Sequence, residues 1–190
     1  MLVGGLYNIG KVIMTDAQTL DFAISIAEIS GVFVGFGVLI GAVQSRDLFA
    51  PEKKALAQGV SLLGIVTLMS ALVPVILNAF GLSGHLLWFY STLGYELLVF
   101  FGFAAALSRE DFREFGALNR KRYPIFAVVF WVPFELSLQI SFLLILFGLF
   151  PEQSNALYLF TLFVNLGEAA AALTLLVFHN ESGIEKTVSS

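Results

Sequence analysis

The sequence predicts an all-α integral membrane protein, a bundle of about five transmembrane helices with its N-terminus outside and its C-terminus cytoplasmic. Three observations predict it. Of the 190 residues, 58% are hydrophobic and 13% charged, with mean hydropathy +0.88. A soluble domain is about 45–50% apolar and about 25% charged. The apolar residues also gather into stretches of about 20, the length that crosses a hydrocarbon core as a helix. Finally, the basic residues fall in alternate connections.

The first stretch runs over residues 20–43. Thr15 and Gln18 have capping-box spacing, which allows the helix to start a turn earlier. The second, 56–80, follows Pro51 at a favourable first helical position. The third covers 86–107. The fourth, 124–150, is the longest, and its length implies tilt or extension past the core. The fifth covers 156–178. Residues 1–190 therefore form a single transmembrane domain.

The connection from Gln44 to Lys54 carries Arg46, Lys53 and Lys54. That from Ser108 to Tyr123 carries Arg109, Arg113, Arg120, Lys121 and Arg122. The connections Gly81 to His85 and Pro151 to Asn155 carry no Lys or Arg. Eight basic residues against none place the first pair in the cytoplasm. Lys11 and Lys186, in the tails, do not alter this. The segment REDFREFGAL after Ser108, with Asp111 near its start, is either an interfacial helix or a charged loop. The first 14 residues, with Gly4, Gly5 and Gly10, lack the basic start and apolar core of a signal peptide. Leu2 excludes myristoylation.

Glutamates stand inside four of the five stretches, at Glu28, Glu96, Glu135 and Glu168, with no Lys or Arg among them. A charged acid at mid-membrane costs roughly 2.5–3.5 kcal/mol on insertion scales. Each must be neutral, solvated in a water-filled path, or matched by a cation. From the expected outer ends at His85, Phe150 and Asn155, Glu96, Glu135 and Glu168 are 11, 15 and 13 positions deep. Glu28 is 13 from Thr15. At about 1.5 Å per residue the four share a layer within roughly 6 Å.

Helical steps of three, four and seven give these acids polar neighbours. Asp21, Ser25, Glu28, Gly31, Gly35 and Ala42 fall near one face of the first stretch. Gly31 with Gly35, and Gly37 with Gly41, form small-xxx-small pairs that suit helix packing. Thr161, Asn165, Glu168 and Ala172 make the most regular stripe. Glu135 and Gln139 are one turn apart, as are Thr92 and Glu96. The second stretch has a milder stripe, Ser61, Gly64, Thr67, Ala71, Pro74 and Asn78. Pro133 removes the usual partner of the Val129 carbonyl, leaving it for a neighbouring helix, water or an ion.

Two functions compete. In one, an oligomer conducts or transports a cation or proton through the layer formed by Glu28, Glu96, Glu135, Glu168, Asn165 and Gln139. Intramembrane acids mark such routes, and oxygen ligands suit Na⁺, Mg²⁺ or Ca²⁺. In the other, the chain is a non-catalytic scaffold or accessory subunit whose protonated glutamates mediate packing and assembly. Burial favours the neutral acid. Catalysis is not expected, because no nucleophile–base pair stands out; Ser137 and Ser141 read as packing residues. The chain has no cysteine, so thiolate sites are excluded. His85 and His179 lie at span ends on opposite sides, Glu-x-x-His is absent, and no mid-span Lys offers a Schiff base. No cofactor or specific metal is indicated. The expected partners are the lipid bilayer, further copies of the chain and a cation or proton. A net charge of -4 gives no sign of nucleic acid.

AEISGVFVGFGVLI at Ala27 to Ile40, the charged loop through Arg46, SALVPVIL at Ser70 to Leu77 and LLWFYSTL at Leu86 to Leu93 resemble uncharacterised bacterial small multi-pass inner-membrane proteins. The likeness covers about half the chain. It implies a bacterial inner-membrane location and no activity, and it carries over no functional residue.

Overall fold

A computed structural model describes residues 14–44, 51–108 and 132–178. They form five α-helices: α1 (Asp16–Gln44), α2 (Pro51–Ala79), α3 (Gly84–Leu107), α4 (Val132–Leu146) and α5 (Ser154–Phe178), with a 3₁₀ turn at Pro151–Gln153. Three spans, Asp16–Ala42, Ala57–Ala79 and Pro151–Thr174, are long and apolar enough to cross a membrane. α3 has 24 residues, and α4 is a shorter apolar helix of 15. Residues 124–131 of the expected fourth span lie outside the described residues. So do Val129, Arg46, His179, the REDFREFGAL segment and positions 1–13.

Each helix boundary has a local cause. Gln18 N–H donates to Thr15 Oγ1 (3.3 Å), and Thr15 N–H donates to Gln18 Oε1 (3.0 Å). This is the capping box, and α1 begins a turn before residue 20. α2 ends where Gly81 (φ 89°) donates to Asn78 O and Leu82 donates to Leu77 O. α4 ends in the same way: Gly148 (φ 61°) donates to Ile145 O and Leu149 to Leu144 O. These are Schellman caps, with glycine in the left-handed position and an apolar residue after it. The expected span to Phe150 is therefore too long: the helix stops at Leu146 because Gly148 turns the chain.

The helices alternate in direction. The starts of α1, α3 and α5 meet at one end, beside the turns that close α2 and α4. Asp16 joins two of them: its carboxylate accepts from Gly84 N–H and from Trp88 Nε1–H, both at 2.9 Å. A carboxylate at two helix starts also complements both dipoles. Asn155 Nδ2 donates to Met14 O (2.7 Å) and Thr19 Oγ1 (3.2 Å). His85 Nδ1 lies 3.0 Å from Ser154 Oγ.

α5 is the central helix and packs against each of the other four. α1 and α2 form the closest pair, and their small residues explain why. A Cβ on Gly37 would strike Ser61 Oγ and the α2 backbone at Ala57 O (3.0 Å). A Cβ on Gly64 would stand 3.2 Å from Ser30 O and 2.9 Å from Val34 Cγ2. Gly31 makes a looser approach, to Leu68. Gly35 and Gly41 meet nothing within 4 Å. The two expected glycine pairs therefore do not act as pairs within the bundle. Ser30 and Gly37 stand at the seam instead, and a membrane helix uses small residues to bring backbones together. Gly37→Ala is expected to cost about 1–3 kcal/mol through overpacking. Gly35→Ala should change stability by no more than about 1 kcal/mol, in the stabilising direction. Thermal unfolding of both variants in detergent checks the contrast.

Candidate functional site

The inward face of α5 carries the site. Tyr158, Thr161, Asn165, Glu168 and Ala172 are all buried. The predicted stripe from Thr161 to Ala172 faces the interior, and Tyr158 extends it by one step toward the α5 start. Asn165 Nδ2 donates to Thr67 Oγ1 on α2 (2.9 Å), and Thr67 Oγ1 donates on to Leu63 O (2.8 Å). Tyr158 O–H donates to Ser70 O (2.8 Å). That carbonyl is available because Pro74, four residues later in α2, has no N–H to offer it. A freed carbonyl taken up by a neighbouring helix was expected at Val129; among the described residues it occurs at Ser70.

Glu168 is 2% exposed, and its Oε1 has no hydrogen-bond partner among the described residues. Ser70 Oγ is likewise buried and unpartnered. Described buried residues include no Lys, Arg or His. Around Glu168 lie other acids. Its carboxyl is within electrostatic reach of Glu135, and Glu135 is within reach of Glu96. The Tyr95 hydroxyl lies within reach of all three.

Local packing brings these residues together. Phe134 of α4 packs on α5 at Gly167, its Cε1 3.8 Å from where a Cβ would stand, an ordinary contact distance. Glu168 and Glu135 follow those two residues directly, Glu168 buried and Glu135 exposed at the edge of the bundle. Tyr95 packs on Phe142 of α4, ring centroids 4.6 Å apart, which brings α3 into the same region. Tyr95 was missed in the sequence because Glu96, its neighbour, drew attention to a face about 100° away. The buried face of α3 runs through Trp88, Ser91, Thr92 and Tyr95, with Glu96 at its edge.

The remaining predicted residues stand apart. Glu28 is twelve positions below Asp16, Glu96 twelve below Gly84, Glu168 fourteen below Ser154 and Glu135 eleven before Leu146. Their depths agree within about 5 Å. Depth is all that Glu28 shares. Its stripe, with Asp21, Ser25, Gly35 and Ala42, is exposed on the outside of α1. α1 is apolar nearly all round, so its small residues, not its acid, decide which face packs. Gln139 and Glu135 are also exposed, Glu135 at the edge of the bundle, while α4 buries Leu138, Ser141, Phe142 and Ile145. Gln139 therefore does not join the cluster.

Chemically, the arrangement has one fully enclosed carboxyl at Glu168, a half-buried one at Glu96, an exposed one at Glu135 and a phenol, with an amide and a threonine hydroxyl one turn away. Such groups can exchange protons. Among the described residues no group of three His, Cys, Asp or Glu side chains is placed to hold a metal ion. Compared with known proteins, the chain matches no family model, no curated protein and no solved structure.

Proposed function

We propose that this protein conducts or transports protons, or a small cation, through the carboxyl cluster of Glu168, Glu135 and Glu96, without catalysing a reaction. The observation that carries the reading is Glu168 itself. It is an acid enclosed at mid-span, with one oxygen unpartnered and no basic side chain among its buried surroundings. An acid in that position is held neutral or is in exchange with a mobile cation, and intramembrane acids of this kind mark proton relays and ion routes. A proton is the preferred cargo, since the cluster does not supply the several converging oxygens that Na⁺, Mg²⁺ or Ca²⁺ require.

The reading includes an oligomer in a bacterial inner membrane, with its basic connections on the cytoplasmic side. Glu28 and Gln139 support the oligomer. In lipid an exposed mid-span acid costs roughly 2.5–3.5 kcal/mol, and another copy covering it removes that cost. The first-half resemblance supports the location.

A second reading is an assembly role, favoured by the Asn165–Thr67 and Tyr158–Ser70 hydrogen bonds, which already tie α5 to α2. Proteoliposomes under an imposed membrane potential separate the two. The proton reading predicts acidification of the lumen well above that of empty liposomes, unchanged when choline replaces Na⁺. No flux of protons or metal cations from the wild-type protein leaves the assembly role.

A further inference from the structure

Among the described residues, exposed carboxyl and amide side chains away from the helix ends stand on α1 and α4 alone. Asp21, Ser25 and Glu28 share one face of α1, and Glu135 and Gln139 share one face of α4. The exposed faces of α2, α3 and α5 carry bulky apolar groups such as Ile65, Met69, Leu97, Phe100, Phe160 and Phe163. Lipid chains solvate those as well as protein does. A carboxyl or amide turned to hydrocarbon lacks a hydrogen-bond partner and is costly there. The two polar faces also match in level. Asp16 accepts from Gly84 N–H, and Gly148 lies against His85, the next residue. The start of α1 and the end of α4 at Leu146 therefore stand together, within about one turn. Counting inward, Asp21, Ser25 and Glu28 are five, nine and twelve positions from Asp16. Gln139 and Glu135 are seven and eleven positions from Leu146. Gln139 thus stands at the level of Asp21 and Ser25, and Glu135 at the level of Glu28.

We propose that α1 of one copy packs antiparallel on α4 of the next, its Asp21, Ser25 and Glu28 covering the neighbour's Gln139 and Glu135. α1 runs away from the Asp16 end and α4 runs toward it. Copies that enter the bilayer the same way up therefore keep their levels across the contact and meet antiparallel. The chemistry is complementary. The Gln139 amide donates to an Asp21 carboxyl oxygen or to the Ser25 hydroxyl, and its oxygen accepts in return. Glu28 and Glu135, both protonated, each donate through O–H and accept on C=O. No basic residue is needed, and α1, α3, α4 and α5 contain no Lys or Arg. A contact of α1 with α1 would leave the α4 face in lipid, and one of α4 with α4 would leave the α1 face there. The α1–α4 contact covers both. It is heterologous, so in the membrane plane it repeats head to tail into a ring. Glu135 is the exposed member of the proposed proton route. Glu28 of the next copy shields it from lipid without carrying the proton.

This inference rests on the oligomer of the proton reading and names its interface. The chain has no cysteine, so introduced ones report alone. Ser25 and Leu136 are both exposed, nine positions from Asp16 and ten from Leu146. In membranes treated with a short bismaleimide, chains carrying both Ser25→Cys and Leu136→Cys should form a ladder of covalent oligomers. Either cysteine alone should leave monomer, and a mixture of the two single variants should give dimer only. Gln139→Leu added to the double variant should weaken the ladder about tenfold, through loss of one hydrogen bond. Absence of the ladder, equally strong dimers from one cysteine alone, or a ladder unmoved by Gln139→Leu overturns the α1–α4 contact. Photobleaching of the labelled wild type in liposomes counts copies independently. Several copies without a ladder remove this interface and leave the oligomer standing. Single copies remove both, and proton flux from single copies leaves the Glu168 route intact.

Discussion

Replacing Glu168 with glutamine is expected to reduce proton flux at least about 100-fold, the usual contribution of a positioned proton-transfer group. The folded bundle should persist. Glutamine keeps the shape and can still hydrogen-bond at the α5 interior, but it cannot release and regain a proton at membrane depth. Flux measured in proteoliposomes containing equal amounts of folded protein checks this. Glu168→Leu separates chemistry from packing. Leucine offers no hydrogen bond in the Asn165 and Thr67 neighbourhood, yet it fills the site with apolar bulk. If the acid serves assembly, leucine disrupts the oligomer and glutamine does not. If it serves proton movement, both abolish flux.

Asp16→Ala is expected to cost about 2 kcal/mol of stability, because it strands the Gly84 N–H and the Trp88 Nε1–H together. These two bonds link the start of α1 to the start of α3, so the damage should concentrate at that end of the bundle. Asp16→Asn keeps an acceptor oxygen but must present an amide beside two donors, and should lose an intermediate amount. Thermal unfolding in detergent gives the order wild type, Asn, Ala. Equal stability of wild type and Ala would mean that the clamp contributes nothing.

The sequence made the helices legible because apolar length and capping chemistry are local properties. Thr15 with Gln18, and Pro51, marked two helix starts in advance. The end of the fourth helix was misplaced for a reason that is also local. Phe147-Gly148-Leu149 repeats the Phe80-Gly81-Leu82 pattern of a glycine cap with an apolar residue after it, and an apolar stretch conceals such a stop.

Which faces point inward was less legible. In a soluble helix, polarity separates the buried face from the exposed one; in α1 both faces are apolar and backbone approach decides. Ser30 and Gly37 win over the glycine pairs because α2 answers them with Ala57, Ser61 and Gly64. Glu28 is left outside as a consequence. In α5 the polar stripe was readable because four polar or small residues recur on one side and α5 is surrounded. Tyr158 and Ser70 were findable by a rule applied elsewhere in the chain. Pro74 frees the carbonyl four residues before it, and a hydroxyl on a neighbouring helix takes it. The proximity of Glu168, Glu135, Glu96 and Tyr95 comes from the packing of α3, α4 and α5, in which Phe134 meets Gly167 and Tyr95 meets Phe142. Contacts between distant segments of that kind leave no periodic trace in one sequence.

On the proposed route the four glutamates of the apolar helices divide into three members, Glu168, Glu135 and Glu96, and an outlier, Glu28. Proton flux from Glu28→Gln and Glu168→Gln, reconstituted side by side with the wild type, tests that division most directly. The three-acid route predicts wild-type flux from Glu28→Gln and empty-liposome flux from Glu168→Gln. Wild-type flux from Glu168→Gln, or loss of flux from Glu28→Gln in a folded protein, would contradict it.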